Sequence, residues 1–161
     1  MRTLIHLAIL LTQGALAFIT LMIIYMIFVL MDYQGGIDGL IGTTVIQPII
    51  GGLITVVTIG ICVFIGLPIR LSERINAWWS KRIWLALSGL LLGLVLLVVS
   101  TLPFMTTTVD VNIDGDIVPH QIPNLAAAAS GWFLTSFCVL HTFPPYNVRR
   151  WAEGMIGKYI P

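Results

Sequence analysis

All eight basic residues stand in three short polar segments between long apolar runs, and most acids sort the opposite way. Arg2 precedes the first run, Arg70, Arg74, Lys81 and Arg82 separate the second from the third, and Arg149, Arg150 and Lys158 follow the fourth. Asp32, Asp38, Asp110, Asp114 and Asp116 fill the two alternate gaps. Lys and Arg flanking membrane spans are retained on the cytoplasmic face, so this sorting predicts both threading and orientation: both termini inside, two loops outside. The inner segments carry their eight bases against Glu73 and Glu153, a balance of +6, while the outer gaps hold five acids and no base, −5. Such a basic inner face suits anionic lipid headgroups. It lacks the dense basic patch that nucleic acid would require, so no nucleic-acid partner is expected.

The composition agrees, with 58% hydrophobic and 9% charged residues, where soluble domains carry charge on about a quarter of positions. The apolar runs cover residues 4–31, 48–69, 83–105 and 125–143, close to the about 20 residues that cross roughly 30 Å of hydrocarbon. The first run is too long for a cleaved signal and lacks a small-residue cleavage site, so a retained span is expected. Pro48 is expected to open the second span, where a missing N–H costs nothing, and Pro68 to close it. The predicted fold is an all-α membrane protein: one integral domain over 1–161 with four transmembrane helices. It is placed in the cell membrane, a bacterial inner membrane by its small multi-pass, charge-sorted character.

Two amphipathic segments flank the spans. Leu71, Ile75, Trp78, Trp79 and Arg82 recur at helical spacing, and Val148, Trp151, Ala152, Met155, Ile156 and Tyr159 form a second apolar stripe after Pro144-Pro145. Both read as interfacial helices with tryptophans at headgroup depth. The loop before the fourth run differs in kind. Val109, Val111 and Ile113 alternate with Asp110, Asn112 and Asp114 before Gly115, a pattern that predicts a short extracytoplasmic β-hairpin. Its open edge is available for pairing with a partner.

Sliding the chain on itself by 76 residues brings nine identities together over positions 37–82, among them Asp38 on Asp114, Cys62 on Cys138, Pro68 on Pro144 and Arg74 on Arg150. Two tandem helical hairpins, 1–76 and 77–158, related by a pseudo-two-fold axis along the membrane normal, are therefore expected. Small residues follow the same correspondence. Gly51, Thr55, Thr58, Cys62 and Gly66 form a stripe on the second span, and Ala127, Gly131, Thr135, Cys138 and Thr142 form one on the fourth. Gly89 and Gly93 add a GxxxG pattern on the third. Such stripes let helix backbones approach closely, which is what drives association in lipid. They are read as helix-packing or partner-interface residues, with spans two and four at the bundle centre and span four the most enclosed.

Candidate chemistry is sparse. No acid or base falls in a span core, which argues against proton-coupled transport. His6 and His141 lie near the cytoplasmic boundary and are read as interfacial polar residues in preference to haem or metal ligands. Cys62 and Cys138 lie within the small-residue stripe and outside any C-x-x-C pair, so packing explains them better than redox work. Asp110, Asn112, Asp114, Gly115 and Asp116 resemble the first half of a calcium loop, but Gln121 stands where its bidentate Glu belongs, and an acidic hairpin turn is the better reading. No catalytic constellation, metal cluster or cofactor motif appears, and no enzyme is expected. The leading expectation is a non-catalytic accessory or scaffold subunit of a larger membrane complex, bound to membrane-protein partners in the bilayer. The alternatives are an inner-membrane immunity or exclusion protein, and a small channel or carrier for a neutral or lipidic substrate lined by Thr12, Gln13, Thr20, Thr55 and Thr58.

Overall fold

The computed structural model describes residues 2–33, 37–113 and 116–142 of the chain. The amphipathic tail expected after Pro144-Pro145, with Arg149, Arg150 and Lys158, lies outside the described residues, as do the polar turn at 34–36 and the side chain of His6.

The chain is mostly helical. Helix α1 spans Arg2–Met31, α2 Ile37–Ile41, α3 Gln47–Ile65, α4 Leu67–Leu71, α5 Glu73–Ser80, α6 Ile83–Ser100 and α7 Leu125–Leu140. A small sheet of β1 (Thr107–Ile113) and β2 (Asp116–Ile122) stands between α6 and α7. Three stretches are long and apolar enough to cross a membrane: Leu7–Met31, Gly39–Ile65 and Ile83–Ser100. The fourth expected span is shorter than that, because α7 comprises only 16 residues. Asn124 starts it, its side chain accepting from the Ala127 N–H, and the helix gives way at His141.

Three boundaries differ from the sequence reading, each through a proline. Pro48 does not open the second span. The helix begins at Ile37 and passes Pro48 through a π-helical turn, Gly42–Ile46. The Gln47 N–H there reaches back five residues to the Gly42 carbonyl. Pro48 has no N–H to offer in an α-helical ladder, and the wider turn absorbs that loss without ending the helix. Pro68 likewise does not close the span. The helix stops at Ile65 with Gly66 as its cap, and Pro68 sits in the first turn of α4, where its missing donor is harmless. At the other end, α6 stops at Ser100, short of Met105, and its chain runs on as turns that include the Met105 N–H on the Leu102 carbonyl at 2.8 Å. Pro103 disfavours helical geometry at the residue before it.

The expected hairpin is present. β1 and β2 pair antiparallel with Ile113 opposite Asp116, which leaves Asp114-Gly115 as a two-residue connection. The Asn124 N–H donates to the Ser100 carbonyl at 2.9 Å and closes the excursion at its base. Helix α7 packs against α1, α3 and α6, and α1 packs on α3. The core lies where these meet, with Ala17, Cys62, Val139 and Leu140 buried and Ile59, Val63, Leu90 and Phe137 packed around them. Large apolar side chains such as Leu53, Phe64, Trp84 and Leu91 point outward along the helices, as a lipid-facing surface requires. The loop matches of the 76-residue shift do not carry a shared structure: Ile37 opens a helix, whereas Ile113 ends a strand.

Candidate functional site

The small-residue stripes are occupied by the chain's own helices. On α3, Gly51, Thr55, Thr58 and Cys62 are all buried, and so is Gly66 just beyond. Gly51 admits the Tyr25 ring of α1, which an added Cβ would meet at 2.4 Å. Thr58 donates to the Ile54 carbonyl at 2.8 Å and accepts from the Trp132 indole N–H at 3.0 Å, tying α3 to α7. On α7, Gly131, Thr135 and Cys138 are buried, while Ala127 and Thr142 are half-buried at its two ends.

The GxxxG pattern of α6 faces the same helix. A Cβ on Gly93 would lie 2.9 Å from the Thr135 nitrogen and 3.0 Å from the Gly131 carbonyl oxygen, and one on Gly89 would lie 2.5 Å from Cys138 Sγ. At Gly93 backbone meets backbone, which only glycine permits, whereas Gly89 makes room for the Cys138 thiol. Helices α3 and α7 touch each other, and α7 carries the deepest burial among the described residues. Thr12 and Thr20 return their hydroxyls to carbonyls of their own helix, Thr12 exposed and Thr20 half-buried. Neither of the two cavities described below includes Thr12, Gln13, Thr20, Thr55 or Thr58 among its walls.

A polar cluster that sequence reasoning missed closes the C-terminal end of α7. Arg70, from α4, donates through Nη2 to the Leu140 carbonyl at 2.7 Å and to Gln13 Oε1 at 2.9 Å. Gln13, from α1, donates in turn to the Thr142 carbonyl at 2.8 Å. Trp79, from α5, donates its indole N–H to the His141 carbonyl at 2.8 Å. A cation and two N–H donors thus meet the negative end of the α7 dipole. Burial pushes the Arg70 guanidinium below its usual value, yet an arginine stays charged at any physiological pH.

His141 itself is fully buried. Its ring stacks on Phe137 with centroids 4.3 Å apart, and its Nδ1 lies 2.8 Å from the Phe137 carbonyl. The other nitrogen faces the backbone of Gly66, where an added Cβ would stand 1.7 Å away. Nδ1 is thereby engaged while Nε2 has no hydrogen-bond partner among the described residues, and the ring is clamped by packing between Phe137 and the Gly66 backbone. Among the described residues no three His, Cys, Asp or Glu side chains gather as a metal site. Asp110 and Asn112 lie along a strand, opposite Pro119 and Ile117, and an extended strand cannot wrap its oxygens around a calcium ion as a coiled loop does. The signal available beforehand was Gln13, a lone amide in an apolar helix that needs a partner.

At the hairpin end a cleft of about 660 Å³ opens between α1, the α2–π segment and the hairpin. His120 and Asp32 meet across it at 2.9 Å. Tyr25 donates to Gln47 Oε1 at 2.5 Å on another wall, and Thr43, Thr106 and Gln121 add polar groups. A cleft of this size with a few polar groups on apolar walls has the dimensions of a small-molecule site, for which about 300–1,000 Å³ is usual. The chain matches no protein-family model, no curated protein and no solved structure.

Proposed function

We propose that the protein is a non-catalytic accessory subunit of a larger membrane assembly, threaded with both ends in the cytoplasm and the hairpin outside. In this reading α7 belongs to a fourth crossing. The observation that carries the proposal is the hairpin. Its sheet has two strands only, so the outer edges of β1 and β2 have no strand beside them among the described residues. Val109 and Ile117 are exposed on it. An isolated two-stranded ribbon is marginally stable in water, and an open edge is what strand addition uses. The packing stripes, by contrast, are already filled from within the chain and leave the bundle nothing further to recruit through them.

The test is purification in mild detergent from native membranes. The reading expects one stoichiometric membrane-protein partner, lost when Val109→Lys and Ile117→Lys are introduced together while the helical content of the variant is retained. Recovery of the unaltered chain alone as a stable monomer overturns it.

A further inference from the structure

The cleft at the hairpin end does not stand alone. Phe28, Met31 and Thr101 line it and also line a second cavity of about 480 Å³, which runs between α1 and α6 past Ile24, Leu94 and Val98. One chamber sets polar groups among apolar walls and the next is almost wholly apolar, and they are joined by a shared wall. We infer that together they bind an uncharged lipid of the quinone class, its planar oxygen-bearing head in the cleft and its single apolar tail in the α1–α6 groove.

The charge of the site selects the head. Asp32 lines the cleft and, among the described residues, no Lys or Arg does, so a phosphate-bearing head meets a carboxylate and finds no lysine or arginine to compensate its charge. A cationic head has no lone carboxylate to meet in the cleft, because Asp32 already holds His120 at 2.9 Å. What remains is a neutral head that accepts and donates hydrogen bonds. Thr43 and Thr106 supply hydroxyls, and Gln47 and Gln121 supply amides. The rings of Tyr25, Phe28 and Tyr33 line the same chamber, and flat aromatic faces favour a flat ring beside them. The apolar groove, lined by Ile24, Ile27, Leu94, Leu97 and Val98, excludes a second polar end. The site takes His120, Gln121 and Ile122 of β2 but neither Val109 nor Ile117, the positions altered in the subunit test, so the two tests are read separately.

The experiment is equilibrium dialysis of tritiated decylubiquinone against the full chain in maltoside micelles. The expected result is saturable binding near one per chain. Affinity should fall at least about tenfold in Val98→Trp, which fills the groove, and in Gln47→Leu, which removes a head contact. Val57→Trp, on an exposed face of α3 outside both cavities, should bind as the unaltered protein does. Each variant is first checked for native helical content, and Gln47→Leu carries the test if Val98→Trp does not fold. Binding that never saturates, or that is equal in all three variants, overturns the inference. Displacement by equimolar phosphatidylglycerol or monoolein also overturns it, since the head would then not be selected by charge and ring.

Discussion

Replacing Gly66 with alanine isolates the clamp at the end of α7. The backbone there is right-handed, with φ −82° and ψ −1°, so alanine itself is not strained and the effect comes from the added methyl alone. That methyl would lie 1.7 Å from His141 Nε2 and 2.2 Å from Cε1. The ring has no room to retreat, because Phe137 stacks on it at 4.3 Å and its Nδ1 holds the Phe137 carbonyl at 2.8 Å. Forcing a methylene into so tight a site costs about 1–3 kcal/mol.

The same substitution reverses sign once the ring is gone. In a His141→Ala background the methyl enters vacated space, and alanine in place of glycine restricts the unfolded chain, stabilising the fold by about 0.4–1 kcal/mol. The two effects give a coupling between the positions of about 1.4–4 kcal/mol, larger than the few tenths seen for independent sites. The measurement is a double-mutant cycle by reversible SDS titration in mixed micelles, followed by far-UV circular dichroism. An equal effect of Gly66→Ala in both backgrounds would refute the contact and the clamp with it.

Two further outcomes follow from the same packing. Gly93→Ala and Gly131→Ala should each destabilise by about 1–3 kcal/mol, because the added Cβ meets opposing backbone at 2.9 and 2.7 Å. Gly52→Ala and Gly60→Ala, with nothing within 4 Å, should instead stabilise by up to about 1 kcal/mol in the same titration, and an equal response at all four positions sinks the argument. Cys62 and Cys138 are free thiols buried in the helix seam, so a maleimide should leave both unmodified in mild detergent and label both in SDS. Mass-spectrometric detection of rapid labelling before denaturation would show that the seam is open.

What was legible in the sequence was periodic, and what was not was either local backbone chemistry or non-local pairing. Thr55, Thr58 and Cys62 could be placed on one buried face because a helix returns to that face every three or four residues. Val109, Val111 and Ile113 announced a strand by alternation, and it pairs with β2 up to Ile113 opposite Asp116. Pro48 misled because proline at a helix start and proline carried through a π turn look the same in a string of letters; only the Gln47-to-Gly42 bond separates them. The repeat misled in its loops. Ile37-Asp38-Gly39 matches Ile113-Asp114-Gly115 letter for letter, yet the first is preceded by a helix and the second by a β-alternating segment, and context overrides so short a string. Arg70 reaches Leu140 across 70 residues of sequence, and no periodicity encodes a contact of that range.

That last contact also explains why one base among the inner cluster turns inward. Arg82 lies over the Trp78 ring at 4.7 Å, an interfacial posture, whereas Arg70 points into the bundle. The difference follows from the burial of the end of α7. Leu140 and His141 there are both 0% exposed. Orphan carbonyls shut away from water must find donors in the protein. Gln13, Arg70 and Trp79 are those donors, brought by α1, α4 and α5 to the carbonyls of Thr142, Leu140 and His141. Arg70 stands in the last turn of α4, after the Gly66 cap and Pro68. The basic segment thus has two roles in one stretch: Arg82 lies over an indole ring, and Arg70 satisfies the buried carbonyl end of α7.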